Sequence, residues 1–533
     1  MTQLVPHLLV APIVVPLVAA ALLLLLDDRR KRLKALINIA ASAAGLVVAA
    51  FILRDVHDGI GVYLASNWQA PFGIVLVADR LSALMLVLVG IVGTCVALYA
   101  EAAWARAGVY FRALFQIQLM GLNGAFLTGD LFNLFVFFEV MLAASYGLQL
   151  HGSGWPRVRS GLHYIATNLL ASSFFLIGLS VLYGVVGTLS MADIADKLAL
   201  VPARDRGLLH AAAAILATAF LIKAAVWPLN AWLVPAYSAA SAPVAALFAL
   251  MTKVGVYALL RLWTLLFPVN ASGSAQFGGP VLLYGGLATI AFGAVGLMAS
   301  MRLGRIAGFS IIVSSGTLLA SFGTGTAAMT SAALFYLISA TLAVSVLFLL
   351  VEVIERTELD GQPRAPAISL PPGEDTNLDD EELPLVGRTF PVSVALPGLA
   401  FVLCTLLIAG LPPLSGFLAK VSLLTAAVSG GADTATSGWL LFGLLLCSGL
   451  AAMLSLARAG IRHFWAPGGR LVPHLKSTEA LAVAAMLLCC VWLSVFAEPV
   501  MRYTMSTAAQ LHTPSAYIET VLSTKALERK VSQ

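Results

Sequence analysis

The sequence contains fourteen long, mostly apolar segments, and these constrain the fold more than any other feature. An α-helix rises about 1.5 Å per residue, so about 20 apolar residues span the hydrocarbon core of a bilayer. Only 11% of the residues are charged, whereas a soluble domain contains about 25% and needs them to meet water. The pattern argues against a soluble protein with a very large core and predicts an all-α membrane protein with about 14 transmembrane helices.

The predicted helices occupy residues 5–26, 35–54, 79–99, 111–128, 131–150, 162–186, 208–227, 239–266, 280–301, 305–322, 329–353, 391–411, 437–457 and 478–501. A further apolar segment, residues 414–428, follows Pro412 and Pro413 and is interpreted as the second half of a broken twelfth helix.

The distribution of Lys and Arg predicts which side of the membrane each loop faces. If the basic loop 27–34 is cytoplasmic, the loops on that side hold eighteen basic residues and the opposite loops hold nine. Cytoplasmic loops of membrane proteins carry an excess of Lys and Arg. We therefore predict a multi-pass protein of the bacterial inner membrane with both termini on the outer side.

Four basic residues fall inside apolar segments rather than in loops: Lys223, Lys253, Arg261 and Lys420. Glu139 is the acidic residue that lies deep within a predicted helix. A charge at the bilayer centre costs roughly 2.5–3.5 kcal/mol on a lenient scale, and such residues usually mark an ion or proton path. The misplaced charges therefore predict a transport function.

Glu139 and Lys223 are predicted to act as partners. A buried carboxylate without a partner takes up a proton, whereas a nearby lysine keeps it charged. We interpret the pair as a proton relay, and the alternative is a static ion pair that holds two helices together. Because a static buried pair contributes little stability, the sequence favours the relay.

Lys253 and Lys420 lie about a dozen residues inside their segments, where snorkelling to water is awkward. We predict that both belong to the same path. Arg261 lies nearer the end of its segment, so snorkelling is the simpler interpretation there. Asp79 and Asp130 lie at predicted helix starts and are interpreted as interfacial or capping residues, with membership of the path as the alternative.

Prolines interrupt two of the predicted helices beside a lysine. Pro228 follows Lys223, and Pro412 and Pro413 precede Lys420. Proline lacks a backbone donor and frees a carbonyl, and in a membrane such groups are buried in protein or line a wet cavity. Broken helices in two halves of a chain are typical of transporters built from internal repeats.

The remaining features indicate no cofactor and no metal. The five cysteines fall in apolar segments without metal-ligand spacing, and the sequence contains no nucleotide-binding loop and no haem motif. Residues 357–390 form an acidic, Pro-rich segment that is interpreted as a solvated linker, with a docking loop for a partner as the alternative. The polar tail 503–533 is predicted to contain a short surface helix.

Three motifs carry a resemblance to a known family. They have the sequences GLNGAFLTGDLFNLFVFFEVM (121–141), WPLNAWLVPAYSAASAPVAALFALMTKVGVYALLR (227–261) and GLPPLSGFLAK (410–420). Together they resemble the proton-translocating antiporter-like subunits, which include the large membrane subunits of respiratory complex I and subunits of the Mrp (Pha, Mnh) cation/proton antiporters. The chain most resembles the D subunits of the Mrp group, because of GDLFNLFVFFE, of Tyr237 and of the tail sequence PSAYIETVL.

The resemblance implies a fold of fourteen helices, with helices 4–8 and 9–13 as inverted repeats and with helices 7 and 12 broken. It also implies that Glu139, Lys223, Lys253 and Lys420 form the proton relay. The implied divisions are helices 1–3, the first repeat, the second repeat with the acidic loop, and helix 14 with the tail, at residues 1–110, 111–266, 280–457 and 478–533 respectively.

The second repeat departs from the family pattern. Ser339 stands where relatives usually carry histidine, and Val344 stands where many carry lysine. We therefore expect water, Ser339 and Thr341 to take over this step of the relay.

The sequence thus predicts a proton-translocating subunit of a multisubunit Na⁺ (or K⁺)/H⁺ antiporter, an ion transporter subunit and not an enzyme, which acts in the membrane with other subunits. One alternative is a proton-pumping subunit of complex I or of a membrane hydrogenase, and the subunits that co-purify would distinguish it. Another is a structural scaffold that conducts nothing, which the replacement of Glu139 would distinguish.

Overall fold

The computed structural model describes residues 5–57, 59–106, 108, 110–269, 271, 273–359, 392–429, 435–465 and 475–526. In these residues the chain is mostly helical, with one short β-hairpin. The acidic segment 357–390 lies outside the described residues, apart from the helical turn that ends at Leu359.

The α-helices are α1 (Val5–Leu8), α2 (Ala11–Leu25), α3 (Lys31–Asp55), α4 (Arg80–Ala100), α5 (Phe111–Leu127), α6 (Leu131–Leu150), α7 (Trp155–Val186), α8 (Met191–Leu198), α9 (Arg206–Lys223), α10 (Leu233–Ala239), α11 (Ala242–Leu266), α12 (Gly279–Ala299), α13 (Leu303–Gly323), α14 (Ala327–Leu359), α15 (Val392–Ala409), α16 (Ser415–Val428), α17 (Ala435–Gly460), α18 (Ser477–Val495), α19 (Ala497–His512) and α20 (Ser515–Ser523).

Eleven of the helices in the described part of the chain are long and apolar enough to cross a membrane, and α2, α16 and most of α15 are shorter apolar helices. Each apolar segment of the sequence lies mainly within α-helix, which confirms a mostly helical membrane protein. Two segments are divided. Pro12 begins a new helix after α1, and Pro499 lies in the first turn of α19, because proline suits a helix start, where no N–H is required.

The prolines interrupt the chain where the sequence predicts. Before Pro228, α9 ends at Lys223, and α10 begins only at Leu233. Side chains bind the backbone groups that this break releases: the Trp227 N–H donates to Thr289 Oγ1 at 3.0 Å, and the Trp232 indole donates to the Ile222 carbonyl at 3.1 Å. The second break separates α15 from α16 across Pro412 and Pro413.

The centre of the molecule is α11, whose membrane-spanning window is wholly buried. It packs against α4, α9, α13 and α14, so a side chain in its middle meets protein on all sides. Lys253 lies in this middle part and is 2% exposed. The polar centre of the fold is therefore surrounded by helices rather than by lipid.

A β-hairpin precedes α4 and was not predicted. Its strands, β1 (Gly61–Leu64) and β2 (Val75–Ala78), are antiparallel, and Leu76 also bridges to Thr128 beside the start of α6. The amphipathic α8 packs between α11 and α20. These elements lie together at one end of the helix bundle, next to Asp79 and Asp130.

Candidate functional site

Glu139 lies in the middle of α6 and is partly exposed at the side of the molecule. It shares this face with Phe132 and Val136, which are 50% and 39% exposed. The Ser172 hydroxyl on α7 donates a hydrogen bond to its carboxylate. A residue of α7 therefore holds the carboxylate, and the carboxylate remains accessible at the surface of α6.

Lys223 is the last residue of α9 and is 4% exposed. Its ammonium makes no hydrogen bond within the described part of the chain, and it lies 4.8 Å from the centroid of the Phe138 ring. The sequence left a relay pair and a static ion pair as alternatives, and no direct Glu139–Lys223 ion pair is formed: Ser172 binds Glu139, and Lys223 lies against the Phe138 ring beside it.

Lys253 binds across the centre of the molecule. Its Nζ donates to Ser314 Oγ on α13 at 2.8 Å. Neither side chain is exposed at the surface, since Lys253 and Ser314 are each 2% exposed. Snorkelling is excluded as an explanation for this lysine, and the hydrogen bond directs its ammonium toward the second half of the chain.

Lys420 lies on α16, just after the second helix break. Its Nζ donates to the carbonyls of Ala409 at 2.7 Å and Ile408 at 3.1 Å. These carbonyls end α15 and have no partner within that helix, and the end of a helix dipole attracts a cation. The broken helix therefore supplies the site that holds the lysine.

A cavity of about 30 Å³ lies between the partner of Lys253 and Lys420. A water molecule needs about 10–15 Å³ of such volume, so the cavity has room for about two. Its polar lining consists of Ser310, Ser314, Tyr336, Ser339, Lys420 and Ser448.

The cavity distinguishes two residues of α14, Ser339 and Thr341, to which the sequence analysis assigns the same role. Ser339 lines it and lies 2.9 Å, oxygen to oxygen, from Ser415. Thr341 is not among its lining residues, and its hydroxyl donates to the Leu337 carbonyl of its own helix at 2.6 Å. The structure thus brings Ser339, but not Thr341, to the gap between the two lysines.

Tyr237 is not among the residues that line the cavity next to Lys420. It is buried, and its hydroxyl donates to the Phe248 carbonyl at 3.0 Å. It borders a separate cavity of about 360 Å³, whose lining also includes Arg157, Glu352 and Arg356.

Asp79 and Asp130 cap helices, as the sequence predicts. Asp130 accepts a hydrogen bond from the Asn133 N–H at 2.8 Å, and burial raises the pKa of its carboxyl. Asp79 accepts from the Ser82 N–H at 2.9 Å at the start of α4. Asp79 has a second role that the sequence did not indicate.

Arg261 does not snorkel, contrary to the prediction. Both oxygens of Asp79 accept from its guanidinium at 2.6 Å, and Arg261 is 6% exposed. The guanidinium also lies over the rings of Tyr257 and Tyr517, which belong to α11 and α20. This bidentate pair therefore ties α4 to α11 beneath the C-terminal helix.

The sequence missed the hydroxyl groups that surround the charged ones: Ser172, Ser314 and Ser448. Their positions carry no distinctive signal, because serine and threonine commonly bind the carbonyl of the preceding turn in membrane helices.

Comparisons with known proteins place these features in context. The sequence model of the transmembrane family described as "NADH:quinone oxidoreductase/Mrp antiporter" matches residues 128–448. The chain is 48% identical to the D subunit of a probable K⁺/H⁺ antiporter of Rhizobium meliloti (strain 1021), over 98% of this chain and 99% of that protein. It is 32% identical to the D subunit of the Na⁺/H⁺ antiporter of Bacillus subtilis (strain 168), over 97% and 99% of the two chains.

Solved structures share the fold. A chain of the Mrp complex from Dietzia sp. DQ12-45-1b superposes with a TM-score of 0.81 at 26% identity, covering 98% of this chain and all of the other. A chain of respiratory complex I from Thermus thermophilus superposes with a TM-score of 0.74 at 21% identity, over 97% and 100% of the two chains.

Proposed function

Because the chain belongs to the NADH:quinone oxidoreductase/Mrp antiporter family, as a D subunit of the Mrp antiporters related to complex I, we propose that it moves protons along the membrane midplane in exchange for Na⁺ or K⁺. It is a multi-pass subunit of a hetero-oligomeric transporter rather than an enzyme. The proposed location is the bacterial plasma membrane, with both termini on the outer side.

One observation carries the proposal: Lys223 is buried in the membrane part of the protein without a hydrogen-bond partner among the described residues. An unpaired buried charge is strongly destabilising. A buried ammonium that is held only by an aromatic ring is explained by a task that needs a group able to gain and lose a proton. A static ion pair, the competing explanation, requires the direct contact with Glu139 that is not formed.

The proposed relay runs from Glu139 through Lys223 and Lys253 to Lys420. A proton that arrives at one group changes the electrostatic energy of its neighbour, because charges interact strongly in a medium of low dielectric constant. The Ser172 hydroxyl holds the first group, and the Ser314 hydroxyl turns Lys253 toward the second half. In this proposal each group affects the next without a permanent ion pair that would trap the proton.

The step from Lys253 to Lys420 is assigned to the 30 Å³ cavity. Water molecules beside Ser339 would carry the proton here, because a hydroxyl group both donates and accepts hydrogen bonds. This step would take the place of the histidine and lysine that the family resemblance implies at these positions, and it uses Ser339 without Thr341.

The proposed topology has fourteen crossings and two inverted repeats, at residues 111–266 and 280–457. In this interpretation α9 and α10 are the two parts of helix 7, and α15 and α16 are the two parts of helix 12. The correspondence is supported by the position of both breaks beside a relay lysine. Residues 1–110 and 478–533 then form the first three helices and helix 14 with the tail.

A partner subunit is proposed to cover α6 around Glu139. A carboxylate on a lipid-facing surface at mid-membrane depth is costly, and Phe132 and Val136 surround this one with exposed apolar side chains. Lys420 is also partly exposed, on a different helix. The relay would therefore reach the surface of the chain at both ends, where other subunits of the complex continue it.

Replacing Glu139 with glutamine is expected to lower cation/proton exchange by at least about a hundredfold, the lower range for loss of a positioned proton-transfer group. Glutamine keeps the shape and can still accept from Ser172, so the complex should assemble. Exchange is measured as cation-dependent proton movement in inverted membrane vesicles. Glu498→Gln is the matched control, because Glu498 is an exposed carboxylate paired with Arg502 on α19. An assembled E139Q complex with normal exchange would support the scaffold alternative.

A proton-pumping role in complex I or in a membrane hydrogenase is the alternative function. Full-length relatives named as antiporter D subunits, at 48% and 32% identity, favour the antiporter. Purification of the native complex tests this: small antiporter subunits are expected to co-purify, and iron–sulfur or quinone-binding subunits would support the alternative.

A further inference from the structure

Two glycines, Gly410 and Gly449, lie against the side chain of Lys420, and a third, Gly416, lets α16 pack closely against the end of α15. Gly410 lies at the break, Gly416 on α16 and Gly449 on α17. A methyl group at Gly410 would overlap the aliphatic part of Lys420, and one at Gly416 would overlap the Leu407 carbonyl. The lysine therefore reaches the end of α15 through a slot that only residues without a side chain leave open.

Gly449 lies against the charged end of this slot. A Cβ atom there would be 2.9 Å from the Ala409 carbonyl oxygen and 3.0 Å from Lys420 Nζ. These are the two atoms that form the 2.7 Å hydrogen bond. The preceding residue, Ser448, lines the water-sized cavity together with Lys420. Residues 448 and 449 of α17 thus border both places that the ammonium can reach, the carbonyl end of α15 and the cavity.

We propose that Gly449 is a positioning residue for Lys420, which leaves the ammonium free to alternate between the carbonyls of α15 and the cavity beside Ser448. The charged lysine rests on the carbonyls of Ile408 and Ala409, where the end of the helix favours a cation. After the lysine passes its proton outward at the partly exposed end of the proposed relay, the neutral amine binds these carbonyls more weakly and turns into the cavity. There it accepts the next proton from the direction of Lys253.

The proposal rests on the proton relay and adds a mechanical requirement to it. Lys420 must hold its proton at one place and receive it at another, since a lysine bound permanently to two carbonyls would not pass the proton on. A side chain at position 449 would occupy the space between the Ala409 carbonyl and the Lys420 ammonium. The charged lysine would therefore lose its 2.7 Å hydrogen bond to Ala409.

The test compares Gly449→Ala with Gly443→Ala in the assembled complex. Gly443 lies on the same helix, α17, and a Cβ atom there meets nothing within 4 Å, so it receives the same methyl group without the contact. Loss of one charge-assisted hydrogen bond is expected to reduce exchange by about tenfold in G449A. The alkaline limb of its pH profile should also move to lower pH by about one unit, because the charged form of Lys420 is no longer held. G443A should match the wild type in both measurements.

The Lys420→Ala variant separates failure of this proposal from failure of the relay. Normal exchange in K420A would overturn the proposed relay itself. Loss of exchange in K420A, with G449A indistinguishable from G443A in rate and pH profile, would overturn the role of Gly449 alone. If G449A does not assemble, the double variant with K420A decides: restored assembly shows that the methyl group acts through the lysine, and continued failure contradicts the proposal.

Discussion

Replacing Lys223 with alanine is expected to abolish cation/proton exchange, with a loss of at least about a hundredfold, while the protein becomes no less stable. The reason is that its ammonium is buried without a hydrogen-bond partner among the described residues. Removing an unpaired buried charge removes a desolvation penalty. Functional residues of this kind lower stability in return for activity.

The measurement pairs exchange in vesicles with thermal unfolding of the purified complex. Lys31→Ala is the control, because Lys31 is an exposed lysine at the start of α3, and it should change neither quantity. A K223A complex that unfolds at a lower temperature and still exchanges cations normally would mean that Lys223 is a structural residue.

Replacing Asp79 with asparagine is expected to produce the largest loss of stability. The change leaves Arg261 buried without its counter-charge, and breaking such a pair costs about 3–5 kcal/mol. Because the pair joins α4 to α11 and lies beneath Tyr517 of α20, the yield of assembled complex should fall sharply. Assembly is measured by co-purification, and stability by the midpoint of thermal unfolding.

Two further variants show whether the ion pair itself is responsible. Arg502→Gln removes a charge from an exposed pair and should cost about 0–1 kcal/mol. The double variant D79N/R261Q removes both buried charges and should recover part of the lost stability. A D79N complex as stable as the wild type would contradict the assignment of this pair as a structural tie.

The helices were predictable because each apolar run of about 20 residues has one stable form in lipid, the α-helix. The β-hairpin was not, because its strands are four residues long and make no periodic signal that differs from the surrounding loop. The helix breaks fall at Pro228, Pro412 and Pro413, where the missing N–H weakens the helix, but proline alone does not fix a break, because Pro16 and Pro397 lie inside α2 and α15.

Pairing between distant residues was the less predictable part. Arg261 lies near a helix end, where snorkelling is ordinarily the cheaper solution, and its partner Asp79 is 182 residues away. The burial of Lys253 followed from its depth in its apolar segment, whereas Lys420, at a similar depth, is partly exposed. The partners of the two lysines did not follow from the sequence, because a serine on α13 and two backbone carbonyls of α15 have no distinguishing sequence pattern.

The relay at the centre of this account is tested most directly at Lys253, which lies in the wholly buried helix between the two halves of the chain. The measurement is cation-driven proton flux in vesicles reconstituted with the assembled complex carrying Lys253→Met, which keeps the length of the side chain and removes its titratable group. The neighbouring Thr252→Ala variant serves as the control. We predict intact assembly and a flux at least about a hundredfold below the wild type. Wild-type flux through the K253M complex would contradict the relay.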